Sequence, residues 1–171
     1  MPVVVMGVSG SGKSTIAAAL AGRIGGLFLD ADDFHPSDNV AKMTAGVPLT
    51  DEDRMPWLRA VGEAIDTQSR RGRVTVVACS ALRRRYRDAL REAAADLFFV
   101  QLDGSPELIA ARLSGRTDHF MPPSLLASQL AALEPLEADE HGAVVSIDAP
   151  VADIVAVAAE RFADAANSDI L

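Results

Sequence analysis

The chain has 171 residues, a formal net charge of −8 and a mean hydropathy of +0.17, and 49% of its residues are hydrophobic. This length and composition predict one globular domain over residues 1–171 and exclude a largely disordered chain. The acidic balance argues against a protein that coats nucleic acid or an anionic membrane, because both partners attract a positively charged surface. Small anionic ligands stay compatible with this charge, since they need only a local cluster of donors.

The cysteine content and the first residues of the chain indicate the cellular compartment of the protein. Cys79 is the single cysteine, so an internal disulfide cannot form, and we expect this side chain to pack as a small hydrophobe. Residues 1–6 contain no basic leader, and no segment approaches the roughly 20 apolar residues of a membrane span. These features predict a cytoplasmic protein.

Short apolar runs alternate with helical patterns along the chain. The predicted strands are 3–6, 27–29, 74–79, 97–102 and 143–147. The predicted helices are 16–24, 51–71, 84–94, 106–116 and 150–166, of which the second and fourth follow the capping residues Thr50 and Ser105. This alternation predicts an α/β fold, in which a parallel sheet is covered on both faces and ligands lie at the carboxyl ends of the strands.

The segment Gly7–Ser14 fits the pattern G-x-x-x-x-G-K-[ST] between a predicted strand and a predicted helix. In such a P-loop, glycines bring backbone N–H groups close to phosphate oxygens, Lys13 reaches the outer phosphates, and the Ser14 hydroxyl can bind Mg²⁺. The alternative is a glycine turn with an incidental lysine, which the flanking strand and helix disfavour. The P-loop by itself leaves a GTPase switch, an ATPase and a small-molecule kinase open.

Three carboxylates and an imidazole follow the second predicted strand in Asp30–Pro36. One carboxylate could hold Mg²⁺-bound water while another orients a substrate hydroxyl, because phosphoryl transfer depends mainly on positioning and charge neutralisation. A solvated acidic turn is the alternative interpretation. The neighbouring P-loop favours the first one.

The third predicted strand ends without the acidic residue that holds the metal in many P-loop ATPases. It is followed by the basic segment Cys79–Arg87, most of whose arginines we expect on a solvated helix face. Arg83 is nearest the strand end, and an arginine there can grip a carboxylate with two parallel hydrogen bonds.

A second basic stretch, Arg112–Pro122, includes residues of a predicted lid over 115–123. Its positive groups could close over ATP phosphates and neutralise charge in the transition state. Alternatively, Arg112 and Arg116 lie four residues apart on a helix surface and His119 is an ordinary loop residue.

Taken together, these segments resemble one family. The chain is similar to gluconokinases of the thermoresistant type, which belong to the small, shikimate-kinase-like P-loop kinases. The blocks Gly7–Ser14, Asp30–Pro36 and His119–Glu134 carry part of the resemblance, and the blocks Asp53–Leu58 (Asp-Arg-x-Pro-Trp-Leu) and Cys79–Leu82 are the most specific.

The resemblance implies a P-loop NTPase fold with three α/β/α layers, a five-stranded parallel sheet in the order 2-3-1-4-5 and a mobile lid. It also implies ATP and Mg²⁺ as cosubstrate and cofactor, phosphoryl transfer to the 6-hydroxyl of D-gluconate, and a homodimer. No nucleic acid or membrane partner is expected.

The resemblance further implies roles for individual residues. The nucleotide-binding set is Gly7, Ser9, Gly10, Ser11, Gly12, Lys13, Ser14, Thr15 and Arg112. The catalytic set is Lys13, Asp32 and Arg116, and the metal set is Ser14 and Asp30. The substrate-binding set is Asp32, His35, Arg54, Ser80, Arg83, His119 and Gln129.

Two departures and two alternatives stay open. The family has glycine where this chain has Ala31, and it often has lysine at the positions of Arg83 and Arg84, so either arginine could meet the substrate carboxylate. Another small kinase, for shikimate or a nucleoside monophosphate, is a weaker interpretation, because the glycine-rich loop of shikimate kinases is missing after the third strand. A non-catalytic nucleotide-binding protein is disfavoured by the intact Lys13, Ser14, Asp30 and Asp32.

Overall fold

The computed structural model of the chain describes residues 1–115 and 123–168. Within them, five parallel strands form a sheet in the order β2-β3-β1-β4-β5, which confirms the expected order. The strands are β1 Val3–Met6, β2 Leu27–Asp30, β3 Thr75–Ala78, β4 Phe98–Asp103 and β5 Gly142–Ser146. In the register of the sheet, Val4 of β1 pairs with Val77 of β3 on one side and Phe99 of β4 on the other.

Seven helices connect or follow these strands in the described residues. They are α1 Lys13–Ile24, α2 Ser37–Thr44, α3 Asp51–Arg70, α4 Arg84–Ala93, α5 Pro106–Ser114, α6 Pro123–Ala132 and α7 Val151–Ser168, and Ala31–Phe34 forms a 3₁₀ turn. The helical patterns of the sequence had indicated α1, α3, α4, α5 and α7. They had not indicated α2, α6 or the 3₁₀ turn.

Local capping explains where two of the predicted helices begin. The Thr50 hydroxyl accepts a hydrogen bond from the Asp53 amide at 3.2 Å, and the Asp53 carboxylate accepts one from the Thr50 amide at 3.0 Å. Ser105 accepts from the Leu108 amide at 3.2 Å in the same way. Each cap satisfies an N–H group that the first helical turn leaves without a partner, so the predicted starts of α3 and α5 are confirmed.

The hydrophobic core consists of two clusters, one on each face of the sheet. Val3 and Val5 of β1 pack with α1, α5 and α7, whereas Val4 and Met6 pack with α3 and α4. Because successive side chains of a strand point to opposite faces, a continuous apolar run such as β1 contributes to both clusters. The result is the expected three-layer arrangement.

Helices α3 and α4 approach each other closely at Gly62. A Cβ atom added to this glycine would lie 2.5 Å from the Cβ of Ala93 and 3.2 Å from the carbonyl oxygen of Leu90. The N-terminal ends of both helices lie at the carboxyl edge of the sheet, where Asp51 of α3 meets the residues that begin α4.

None of the helices described has the length and apolar character that crossing a membrane requires.

Candidate active site

Three segments that the sequence singled out separately adjoin at the carboxyl edge of the sheet. The Ser14 hydroxyl at the start of α1 donates a hydrogen bond to Oδ2 of Asp30, at the end of β2, over 3.1 Å. The Gly7 amide donates to the carbonyl oxygen of Ser80, which follows β3, over 3.3 Å. The P-loop therefore touches both the acidic segment and the basic segment.

The P-loop has the backbone shape of an anion site. Gly10 and Gly12 have φ angles of 81° and 93°, which favour glycine, and a Cβ added at Gly10 would lie 2.6 Å from Cγ of Leu113. Gly12 is the N-cap residue of α1, where no described side chain caps the helix and the first turn holds no acidic residue. The positive end of α1 and its N–H groups are thus suited to a phosphate.

Lys13 folds back over this loop. Its Nζ atom donates a hydrogen bond to the carbonyl oxygen of Val8 at 3.0 Å. This contact holds the ammonium group above the same loop whose amides surround the anion site, so that Lys13 and the backbone act on one ligand.

A cavity opens beside the P-loop. Its lining residues are Gly10, Gly12, Thr15, Ile16, Arg112, Val151 and Ile154. Arg112 is held in the cavity wall, because its guanidinium donates to the carbonyl oxygen of Ile147 at 2.6 Å. The combination of apolar walls and one fixed cation is suited to a nucleobase next to its phosphates.

Asp30 and Ser14 offer a small oxygen site for a cation. Oδ1 of Asp30 accepts a hydrogen bond from the Asp32 amide at 3.0 Å, and its Oδ2 accepts from the Ser14 hydroxyl. A hydroxyl and a carboxylate are the hard donors that Mg²⁺ prefers, and Mg²⁺ usually completes its shell with water and substrate phosphates. The described residues hold no cluster of three or more His, Cys, Asp or Glu for a metal cage. The two residues therefore fit Mg²⁺ held partly by phosphate.

Asp32 projects into solvent next to this site. Its side chain is 86% exposed, and its Oδ1 lies 3.8 Å from Nε2 of His35, whose side chain is only 5% exposed. Burial lowers the pKa of His35, Asp32 opposes this effect and Arg54 adds to it. The open carboxylate is accessible to a substrate hydroxyl, while the imidazole beneath it is fixed.

His35 is fixed by two neighbours. Its ring stacks on Trp57 with centroids 4.2 Å apart and an interplanar angle of 13°, and its Nδ1 lies 3.4 Å from Nδ2 of Asn39. Asn39 also donates to the carbonyl oxygen of Asp53 at 2.9 Å. The sequence reasoning did not select Asn39 as a site residue; its position four residues after His35 is the signal that could have identified it.

Three arginines gather around one carboxylate where α3 and α4 begin. Arg85 and Arg83 lie 2.5 and 3.8 Å from Oδ2 of Asp51, the Tyr86 hydroxyl donates to Oδ1, and Arg54 lies over the Tyr86 ring at 5.8 Å. The hydrogen bond from Tyr86 lowers the pKa of Asp51, and the arginines contribute in the same direction. One carboxylate faces three guanidinium groups, so the cluster keeps an excess of positive charge. Asp51 was not predicted.

Arg84 points to different partners. Its guanidinium contacts Asp88 at 3.1 Å and both carboxylate oxygens of Asp139 at 2.9 Å. Arg83 shares Asp51 with Arg85 instead. The geometry favours Arg83 over Arg84 as the residue that meets an anionic ligand.

The basic segment departs from expectation at Arg87. The sequence predicted that most arginines of this helix are solvated, but the side chain of Arg87 is fully buried against Glu140. The prediction was wrong for this residue because its partners come from a distant part of the chain, which helical spacing does not reveal.

Gln129 and Ser11 lie at the P-loop. Oε1 of Gln129, on α6, accepts a hydrogen bond from the Ser9 amide at 2.7 Å. The predicted substrate residue is thus adjacent to the nucleotide loop.

Ser11 is buried, and its hydroxyl has no hydrogen-bond partner among the residues that the structure describes.

Arg116 and His119 lie outside the described residues, as does nearly all of the predicted lid 115–123. Their roles stay predictions.

Comparisons with known proteins agree with this arrangement. Residues 3–136 match the family described as AAA domain. The chain is 44% identical over 154 residues to the thermoresistant gluconokinase of Escherichia coli. The aligned region covers 90% of this chain and 88% of that protein. It is 50% identical over 132 residues to the gluconokinase of Gluconobacter oxydans, covering 77% and 74% of the two chains.

A solved structure gives the same result. The crystal structure of a gluconokinase from Sinorhizobium meliloti superposes with a TM-score of 0.88 at 46% identity, over 98% of this chain and 94% of that one. Sequence and fold agree over nearly the whole length, and the chain belongs to the gluconokinase family.

Proposed function

We propose that this chain transfers the γ-phosphoryl group of ATP to the 6-hydroxyl of D-gluconate, with Mg²⁺ as cofactor. The observation that carries the proposal is the hydrogen bond between Ser14 and Asp30, which joins the phosphate loop to the acidic strand end at 3.1 Å. Membership of the gluconokinase family supports gluconate as the acceptor.

Nucleotide binding follows from the P-loop and the cavity next to it. The amides of Gly10, Gly12 and Lys13 and the positive end of α1 surround the phosphates, and the Lys13 ammonium neutralises their charge. The adenine ring occupies the cavity beside Arg112. The contact of Gln129 with the Ser9 amide supports a role in holding the loop in this shape.

Ser14 and Asp30 would hold the magnesium ion. When bound, it neutralises charge on the β- and γ-phosphates. Asp30 keeps one carboxylate oxygen toward the Ser14 hydroxyl and uses the other to fix the Asp32 backbone, so the cation site and the hydroxyl site are held at a constant separation.

The acceptor site is the space between Asp32 and the arginine cluster. Arg83 and Arg54 bind the gluconate carboxylate, because the cluster has more positive than negative groups. Asp32 and His35 receive the sugar hydroxyls. Asp32 orients the 6-hydroxyl and accepts its proton as the new bond from its oxygen to the γ-phosphorus forms and the bond from that phosphorus to ADP breaks. Ser80, whose carbonyl is bonded to Gly7, and the predicted residues His119 and Arg116 complete the site.

We further propose that residues 1–171 form one kinase domain, that two copies assemble as a homodimer, and that the enzyme is cytoplasmic. The family resemblance supports the dimer. Light scattering on a chromatography column measures the mass of the assembly and tests it directly.

The activity is tested by ADP release from Mg-ATP with D-gluconate, shikimate, AMP or no acceptor. We expect stimulation by gluconate alone, and a product whose phosphorus nucleus couples to the protons on carbon 6. A response to AMP or shikimate and none to gluconate would contradict the assignment. Lys13→Ala should abolish the stimulated rate, which ties the activity to this chain rather than to a contaminant.

A further inference from the structure

The buried guanidinium of Arg87 contacts three separate parts of the chain. It is paired with both oxygens of Glu140, at 2.7 and 2.6 Å, and neither side chain is exposed to solvent. It also donates to the carbonyl oxygen of Ala81 at 3.3 Å, and to those of Glu134 at 3.0 Å and Pro135 at 3.3 Å. An arginine with five hydrogen bonds does more than compensate one carboxylate.

The hydrogen bond from Arg87 to the Ala81 carbonyl reaches the acceptor side of the site. Ala81 lies between Ser80 and Arg83, and its φ angle of 41° is in the left-handed region that alanine rarely adopts. A strained residue keeps its conformation only when its surroundings hold it there. Arg87 supplies a donor to its carbonyl from the next helix.

The other contacts reach the segment that leaves α6. Glu134 and Pro135 lie two and three residues after the last residue of α6, Ala132, and the Glu134 amide donates to the Leu82 carbonyl at 2.8 Å. The Glu134 carboxylate in turn accepts from the Arg84 amide at 2.5 Å. The strand-end segment 79–83 and the end of α6, whose Gln129 bonds the P-loop, are therefore joined by these two bonds of Glu134 and by the Arg87 side chain, which reaches both segments at once.

We propose that Arg87 is a positioning residue that fixes the segment 79–83, and with it Arg83, relative to α6 and the P-loop. This inference rests on the proposed function, since it assigns the acceptor side of the same site. Arg87 touches no ligand and acts through the Ala81, Glu134 and Pro135 carbonyl groups.

The test compares three variants with the parent enzyme. Arg87→Met/Glu140→Leu removes the donors to the carbonyl groups without leaving a buried charge unpaired, and apolar replacement of a buried ion pair often preserves stability. Arg87→Lys keeps the charge opposite Glu140, but its single ammonium nitrogen cannot reach Glu140 and all three carbonyl groups at once. Arg91→Met is the matched control, because Arg91 also contacts Glu140 from α4 but has no bond to Ala81 or Glu134 among the described contacts.

Each variant is characterised by its melting temperature, by KM for gluconate and for ATP, and by hydrogen exchange of peptides covering 79–86. We expect the double variant and Arg87→Lys to raise the gluconate KM about tenfold, with the ATP KM within about twofold. Exchange over 79–86 should become faster, while Arg91→Met matches the parent in both KM values and in exchange.

A double variant that melts like the parent and keeps the parent gluconate KM would overturn the proposal, because Arg87 would then serve stability alone. If the double variant does not fold, Arg87→Lys is judged by the same criterion. If the parent does not phosphorylate gluconate, the proposed function fails by itself, and exchange decides: faster exchange over 79–86 supports positioning by Arg87, and unchanged exchange contradicts it.

Discussion

The Ser14 hydroxyl donates a hydrogen bond to the Asp30 carboxylate at 3.1 Å, across the gap between the first turn of α1 and the end of β2. This contact brings the hydroxyl of the P-loop and the first carboxylate of the acidic segment to one point. A cation at this point would be held by the P-loop hydroxyl and the acidic strand end together.

Replacing Asp30 with Asn should therefore impair the metal-dependent step. We expect Asp30→Asn to lower kcat about a hundredfold and to raise the Mg²⁺ concentration needed for half the maximal rate, because a neutral amide is a poorer ligand. Asp33→Asn is the matched control, since Asp33 lies in the same 3₁₀ turn with an exposed side chain. Equal rates for the two variants across a Mg²⁺ titration would show that Asp30 does not bind the metal.

Arg83 and Arg84 are neighbours with different partners, and they should respond differently to truncation. Arg83→Ala should raise the gluconate KM about tenfold or more and leave the ATP KM nearly unchanged, because a charge-assisted bond to the carboxylate is lost. Arg84→Ala removes contacts to the acidic residues Asp88, Glu137, Asp139 and Glu140, none of which is a proposed substrate residue, so its gluconate KM should stay within about twofold of the parent. Steady-state kinetics with each substrate varied in turn measures both. The opposite ranking would assign the carboxylate to Arg84.

Glu140 should make the fold sensitive to acid. Burial by itself raises its pKa, but hydrogen bonds from Arg87, the Glu137 amide and Arg91 outweigh burial and hold the pKa at about 2. Because this value lies below the ordinary 4.5, Glu140 contributes its full stabilisation above pH 4.5 and loses it as the pH falls toward 2.

Melting temperatures measured between pH 4.5 and 2 test whether stability falls with pH in this way. The parent should lose stability between pH 4.5 and 2 more steeply than Glu140→Gln, which cannot be protonated in this range. The variant should also melt lower than the parent at neutral pH, since Arg87 then lacks its buried counter-charge. Parallel curves for the two proteins would show that folding does not lower the pKa of Glu140.

Cys79 should be chemically inert in the folded enzyme. Burial raises the pKa of its thiol to about 12, and the side chain packs in the core at the end of β3. Its reaction with a thiol reagent at pH 8 should be about a thousandfold slower than that of a free cysteine, because the thiolate is the reactive form. Labelling in guanidinium chloride is the control and should be complete within minutes. Rapid labelling of the native protein would place the thiol at an accessible surface.

Local patterns predicted most of the framework. Short apolar runs indicated the five strands, and the capping residues Thr50 and Ser105 gave the starts of two helices, because both signals depend on neighbours in sequence. The sheet order came from the family resemblance rather than from periodicity. Helix α2 escaped prediction because distant contacts hold it, among them the bond from Asn39 to Asp53 and the 2.7 Å ion pair between Lys42 and Asp53.

In the candidate site, too, residues with local sequence signals could be predicted and residues held by distant contacts could not. The P-loop could be predicted because its chemistry depends on fixed spacing within eight residues. Asp51 could not, since its partner Tyr86 lies 35 residues away in sequence. Arg87 and its neighbours have the same charge and a similar helical pattern, and only the fold reveals that Glu140, 53 residues away, takes Arg87 into the interior.

The absence of a side chain at Gly62 affects the geometry of the proposed acceptor site. Asp51 and Arg83 stand on the N-terminal ends of two helices whose separation is set about three turns below, where Gly62 meets Ala93. Gly62→Ala would force α3 and α4 apart at this level, because the added Cβ would lie 2.5 Å from the Cβ of Ala93, and the helix ends would shift relative to each other. The position of Arg83, and with it the range of sugar acids that the proposed acceptor site accepts, can thus be altered through a glycine that itself contacts no ligand.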